Sequence, residues 1–269
     1  MSFSIFNVVI DHVSEMQLET LLRGWISGHD QKMIVTPNAE IILAARQDKE
    51  FLKILNSADL ALPDTVSLRF AVAAQGAILK YRHPGSDTVE RLAKICSETG
   101  ERLMLFGATE GSAEQARKKL RTDYPGLDVV SVFPGWIEQN ESGQFFDQKF
   151  VEMISQYQPK VIAVALGQKK QEQFILEHLA HLPSVRIAIG VGGAFEMLAG
   201  VLPRAPKWMR KIGLEWLWRF FLEPKRYRRM YKAFILFPVT VAYDTLKRGQ
   251  FFFAIKNVVP EIVRQLIGK

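Results

Sequence analysis

Short apolar runs recur along this chain at intervals that leave room for one helix between most neighbouring pairs. That spacing restricts the fold more than any other feature. The runs are FNVVI (6–10), KMIVT (32–36), LAL (60–62), RLMLFGA (102–108), DVVSVF (128–133), KVIAVALG (160–167) and RIAIGVG (186–192). They are rich in β-branched residues and are bounded by Gly, Pro or polar residues, as strands are. Helix-length amphipathic stretches lie between most of them, at 38–55, 86–99, 112–123 and 171–181. Alternation of this kind predicts the α/β class, with a largely parallel, Rossmann-like sheet flanked by helices. Several runs end in Gly or Pro followed by a polar loop: Thr36-Pro37-Asn38, Pro63-Asp64, Gly107-Ala108-Thr109, Gly167-Gln168 and Gly190 to Gly193. In such sheets ligands bind beyond the carboxyl ends of the strands, so these loops are the expected site.

The pattern changes near residue 200. RAPKWMRKIGLEWLWRFFLEPKRYRRMYK has helical spacing, no strand candidate, and breaks at Gly213 and Pro224. The chain therefore divides into an α/β core, 1–200, and a helical appendage, 201–269. Charge divides the same way: the appendage holds 15 Lys and Arg against 4 Asp and Glu, a net +11, and residues 1–200 hold 20 against 24, a net −4. Trp208, Trp216 and Trp218 fall in the basic part. A basic, aromatic, apolar segment suits an anionic membrane surface or a phosphate-bearing ligand. No nucleic-acid-binding pattern accompanies it, so nucleic acid is not an expected partner. The longest uncharged apolar stretch of the appendage, AFILFPVTVAY (233–243), is well short of the roughly 18 to 20 residues a spanning helix needs. The last section, 234–269, reads as one or two further amphipathic helices interrupted by Pro260. The single cysteine, Cys96, has no disulfide partner in the chain, and no export signal is read at the N-terminus, so a cytoplasmic-side protein is expected.

Few side chains announce chemistry by spacing alone. LFGATEGSAEQARKKL (105–120) is a strand, glycine turn and helix, suited either to a phosphate or to a plain strand-to-helix connection. GVGGAFEMLAG (190–200) is a glycine-rich strand exit, suited to close approach of a ligand or to tight helix packing. His178 and His181 share a helix face without an acidic or cysteine partner at ligand spacing, so a solvated surface is expected there and no metal site. Cys96 lies on the apolar stripe of Leu92 and Ile95, which points to core packing. Asp64 follows a strand and a proline. Spacing alone favours a helix N-cap for TVSLRFAVAAQ (65–75), with a catalytic carboxylate as the competing reading. Arg219, Arg226 and Arg229 are either a solvated face or a set of guanidinium groups able to neutralise a diphosphate.

Taken in order, VTPNAEIILAARQDKEF, ADLALPDTVSLRFA, RHPGSDTVERL, LMLFGATEGSAEQARKKLRTDYPGLDVV, VIAVALGQKKQEQFI and IGVGGAFEMLAGVLPRAPKWMRKIGLEWLWRFFLEPKRYRRM resemble the WecG/TagA/CpsF glycosyltransferases, glycosyltransferase family 26, over residues 32–231. The resemblance implies transfer of an N-acetylmannosamine-type sugar, with inversion, from a UDP-sugar to a polyprenyl-diphosphate-linked N-acetylglucosamine on the inner face of the cell membrane. Neither metal nor cofactor is implied. By the same resemblance Asp64 is the general base, and Arg219, Arg226 and Arg229 close over the diphosphate. Substrate contacts are implied for Thr36, Asn38, Arg82, Gly85, Asp87, Gln171, Glu172, Gly192 and Glu196, and at the strand exits for Gly107 and Gly167. The sequence departs from the family pattern at Thr65 and Ser67, where glycines are usual, and at Lys169, where proline is usual. These departures keep open a different UDP-sugar donor, such as a glucose or uronic acid form, or a catalytically silent membrane scaffold. An apolar appendage also fits a homo-oligomer.

Overall fold

A computed structural model describes residues 1–140, 143–200, 205–206, 209, 215–222 and 227–267. The chain opens with an antiparallel hairpin of β1 (Ser2–Ile5) and β2 (Val8–Asp11). The run FNVVI is therefore not one strand. Phe6 and Asn7 take φ of 49° and 68°, both left-handed, and make the tight two-residue turn that suits the twist of a hairpin.

Then follow α1 (Glu15–Ser27), β3 (Lys32–Val35), α2 (Ala39–Gln47), α3 (Lys49–Asn56), β4 (Leu60–Ala61), α4 (Ser67–Ala73), α5 (Gly85–Thr99), β5 (Leu103–Gly107) and α6 (Ser112–Asp123). After these come β6 (Val129–Val132), α7 (Gln148–Ser155), β7 (Val161–Ala165), α8 (Lys170–His178), β8 (Ile187–Gly190) and α9 (Ala194–Leu198). The helix expected over 38–55 is two helices. Asp48 takes an extended backbone and its side chain accepts from the N–H groups of Glu50 and Phe51, so it caps α3 and ends α2.

β4-β3-β8-β7-β5-β6 form one sheet, every neighbour parallel. Alternate side chains serve opposite faces. Met33, Val35, Met104, Phe106, Ile162, Val164 and Ala188 join one core with α2, α3, α4 and α8. Ile34, Leu103, Leu105, Val161, Ala163, Ile187 and Ile189 join the other with α1, α5, α6 and α9. Cys96 is buried in the second core, where loss of solvation pushes its thiol up to about 12. The neighbours β3 and β8 thus send the chain to opposite faces, through α2 and α9 respectively. That reversal at neighbouring strands is the topological switch point where such sheets open a crevice.

Beyond α9 come α10 (Glu215–Leu222), α11 (Tyr227–Tyr231), a π-helical turn (Lys232–Leu236), α12 (Phe237–Lys247) and α13 (Phe251–Ile267). Phe237 is buried in the first core and meets Phe6 edge-on at 6.3 Å. Pro260 lies inside α13 and does not interrupt it. The side chains buried along α13 include Glu261 and Gln265, which meet Arg69 of α4 at 2.9 Å and 2.5 Å. Phe252, Val259, Ile262, Val263 and Ile267 face outward, and the half-exposed ring of Phe253 rests against Gly76. In α12 Phe237, Thr240 and Thr245 are buried, and Val239, Tyr243 and Leu246 are exposed. Among the described residues no helix is long and apolar enough to cross a membrane.

Candidate active site

At the switch point lies a cavity of about 260 Å³. The loop after β3 contributes Thr36 and Asn38, and the loop after β4 contributes Asp64, Thr65 and Ser67. Arg82 comes from the loop before α5, Gly85 and Ser86 from its first turn, Gln168 from the β7–α8 loop, Gln171 from the first turn of α8, and Gly192, Gly193 and Met197 from the chain after β8. Met230, Ala233 and Phe234, from the segment beyond residue 200, complete the wall.

Each polar group is held from behind. Thr36 Oγ1 donates to Gly190 O at 2.9 Å, tying the end of β3 to the end of β8. Asn38 Oδ1 accepts from Ile41 N at 3.0 Å and so caps α2. Asp64 N donates to Pro37 O at 3.0 Å, and Asp64 O accepts from Arg82 Nη1 at 3.1 Å. Its backbone is thereby pinned on both sides of a half-buried carboxylate that lines the cavity. The capping role expected for Asp64 is not found: α4 begins at Ser67, its N-cap is Val66, and no side chain caps it. Two residues too many separate Asp64 from the first turn. Thr65 and Ser67 instead join hydroxyls at 2.9 Å.

Beneath the cavity floor, Gly192 N donates to Gln171 Oε1 at 2.8 Å, and Gln171 Nε2 donates to Glu172 Oε1 at 2.8 Å. Glu172 Oε2 accepts from Lys169 N at 2.7 Å. Lys169 has φ of 70°, a conformation closed to the proline usual in the family. Its ammonium meets Asp48 at 2.5 Å. At Gly190 a Cβ would lie 2.9 Å from Gln171 Nε2, so glycine lets the amide pack against the strand end. Burial pushes the Glu172 carboxyl up to about 7, although its hydrogen bonds favour the ionised form.

Of the residues expected to touch substrate, Thr36, Asn38, Asp64, Arg82, Gly85, Gln171 and Gly192 line the cavity. Asp87, Gly107, Gly167, Glu172 and Glu196 do not. Asp87 is exposed in the first turn of α5. A Cβ on Gly107 would come within 2.7 Å of Ala165 O, so this glycine serves strand packing. Gly167 forms the turn into α8 at φ 85°. Glu172 is completely buried, and Glu196 is half-buried on α9. Arg226 lies outside the described residues; Arg219 and Arg229 are placed only as backbone positions of α10 and α11. The expected solvated face at His178 is also overturned. The ring is buried, stacks on Phe174 at 4.0 Å, donates from Nδ1 to Phe174 O and accepts at Nε2 from Asp147 N. Among the described residues no group of three His, Cys, Asp or Glu could hold a metal ion.

Sequence reasoning passed over Glu40, Met197, Met230 and Phe234, all of which line the cavity, as does Gln168 of the expected Gly167-Gln168 loop. Glu40 was legible as the acidic end of TPNAE (36–40); its carboxylate lies 3.6 Å from Lys232 Nζ and joins α2 to the π-helical turn. The geometry offers a carboxylate able to take a proton from a hydroxyl, amide and hydroxyl groups able to orient a sugar, and an apolar wall.

Residues 3–250 match the profile described as the Glycosyl transferase WecG/TagA/CpsF family. An N-acetylglucosaminyldiphosphoundecaprenol N-acetyl-beta-D-mannosaminyltransferase of Bacillus subtilis (strain 168) is 31% identical over 205 residues, 75% of this chain and 77% of that protein. A protein of the same description from Staphylococcus aureus (strain MRSA252) is 28% identical over 240 residues, 88% of this chain and 91% of that one.

Proposed function

Because this chain belongs to the WecG/TagA/CpsF family of glycosyltransferases, we propose that it moves an N-acetylmannosamine-type sugar from a UDP-sugar to a polyprenyl-diphosphate-linked N-acetylglucosamine, with inversion. The names of its relatives support the sugar and the acceptor. The observation that carries the reading is Asp64, held by Pro37 and Arg82 at a crevice where a sugar nucleotide would lie.

In this reading the acceptor hydroxyl attacks the anomeric carbon on the face opposite UDP. Its proton passes to the Asp64 carboxylate, and the bond to UDP breaks with the electron pair leaving on the phosphate. A positioned base of this kind contributes about 10²- to 10⁴-fold. Arg219, Arg226 and Arg229 are proposed to meet the charge that grows on departing UDP, which favours the transition state over the ground state. Thr36, Asn38, Arg82 and Gln171 are proposed to orient the donor.

Residues 201–269 are proposed to dock on the anionic inner face of the cell membrane, where the lipid acceptor lies. The outward apolar side chains of α12 and α13 and the net charge of +11 support this. Each Lys or Arg near such a surface adds about 1 kcal/mol of attraction. The same apolar face supports a homo-oligomer away from lipid, which light scattering with and without detergent would reveal.

A panel of UDP-sugars, offered with a lipid-diphosphate N-acetylglucosamine and read by mass spectrometry of the product, tests the proposal. One N-acetylhexosamine added from UDP-N-acetylmannosamine is the expected result. Turnover only with a glucose or uronic acid donor would replace the sugar and make Thr65 and Ser67 its selectors, and no product with any donor would favour a silent scaffold.

A further inference from the structure

Glu172 is 0% exposed and does not line the cavity, yet both of its oxygens are engaged. Buried carboxylates are retained where they satisfy specific donors. Here the donors are an amide of the cavity wall and the backbone of a left-handed turn.

Gln171 sits between the Glu172 carboxyl, which accepts on both oxygens when ionised, and the Gly192 N–H, which only donates. Glu172 Oε1 takes one N–H of its amide, and Gly192 N supplies a proton to its Oε1, each at 2.8 Å. A glutamine amide can in general be drawn either way round, but only one orientation satisfies both of these neighbours. A glutamine has two N–H groups and two lone pairs, so one of each is used inside the protein and one of each is left over on a side chain that lines the cavity. The second Glu172 oxygen takes the N–H of Lys169, a residue whose φ of 70° is unfavourable for a side chain with a Cβ. One carboxylate therefore steadies the β7–α8 turn and, through Gln171, ties it to the β8–α9 loop.

We infer that Glu172 is a positioning residue: it fixes the Gln171 amide so that its remaining N–H faces the oxygens of the sugar-nucleotide donor. The inference rests on reading the crevice as the donor site. Glu172 itself touches no substrate and acts through Gln171 and Gly192.

In Glu172→Gln the shape is kept, but only one oxygen remains to accept two N–H groups. Calorimetric titration of the full chain with UDP should show binding about tenfold weaker, the scale of one lost charge-assisted hydrogen bond. Hydrogen exchange at the Gly192 amide should quicken about tenfold. Gln171→Met should lose the same UDP affinity, and the double variant should lose no more than the worse single one, because the two act as a unit. A lower melting temperature with UDP affinity and Gly192 exchange unchanged would reduce Glu172 to a structural residue and overturn the inference, as would additive losses. Should Glu172→Gln not fold, Glu172→Asp, which keeps the charge and shortens the reach, is read by the same two measurements. A wild-type chain that binds no UDP would sink the donor-site reading separately; Gly192 exchange in Glu172→Gln would still decide whether Glu172 holds Gln171.

Discussion

Helices α3 and α13 are both amphipathic, but they are built in opposite senses. In α3, Phe51, Ile54 and Leu55 are buried on the sheet while Lys49, Glu50 and Lys53 meet water. In α13, Glu261 and Gln265 are buried against Arg69 while Phe252 is 85% and Ile267 63% exposed. Large contiguous apolar patches on a protein surface mark an interaction site. The difference teaches that hydrophobic periodicity gives a helix face but not its direction: the apolar face of α3 is turned to the protein, and that of α13 is turned outward. The comparison also accounts for charge. The outward face of α13 holds Lys256 and Arg264 beside its apolar residues, which suits an anionic lipid surface better than a second, equally basic copy.

The inner face of α13 is where the comparison breaks most visibly. Arg69→Met takes from buried Glu261 its 2.9 Å partner and leaves it only the largely exposed Arg264 at 3.4 Å, which should cost up to about 3 kcal/mol, whereas Arg69→Met with Glu261→Leu should recover most of the loss. Urea unfolding of the three chains checks this, and equal destabilisation by the single and double changes would show that the polar inner face does not hold the helix.

In the core the buried polar group His178 gives a smaller, pH-dependent effect. Burial lowers its pKa below 6.5, so the unfolded chain binds the proton more readily. Its contribution is complete above pH 6.5 and is lost as pH falls below it. Glu172 has the opposite sign: with its pKa raised from 4.5 to about 7, its contribution is complete below pH 4.5 and lost as pH rises through about 7. Between pH 7.5 and 5.5 the two oppose each other, so His178→Phe, which leaves Glu172 unopposed, should make the melting temperature rise more steeply as pH falls. The smallest effect on stability is expected on the outer face. Ile262→Asp should change the unfolding free energy in lipid-free buffer by less than about 0.5 kcal/mol, yet lower flotation with anionic vesicles at least tenfold.

Legibility followed the physics of each signal. Uninterrupted apolar runs such as VIAVA (161–165) marked buried parallel strands, because both faces of such a strand are covered. The Phe6–Asn7 turn was hidden because neither residue is glycine. Asp48 was visible as a cap inside a periodic stretch but was overridden by the period. His178 looked solvated beside Glu177 and His181, while the aromatic residues that cover it include Phe146 and Phe150, far away in the chain. Pro260 looked like a break because a proline removes one helical hydrogen bond, yet α13 continues through it. In the site, the strand-end loops were readable from their Gly, Pro and polar composition. The burial of Glu172 behind Gln171, and the return of Met230 and Phe234 to the cavity wall, depend on tertiary contacts that carry no local signature.

The central claim is that Asp64, at the switch-point crevice, accepts the proton of the lipid-linked acceptor. Asp64→Asn removes the basicity and keeps the shape. Assayed with UDP-N-acetylmannosamine and a lipid-diphosphate N-acetylglucosamine in anionic vesicles, this variant should bind UDP as the wild type does and lose transfer by about 10²- to 10⁴-fold; unchanged turnover would contradict the account.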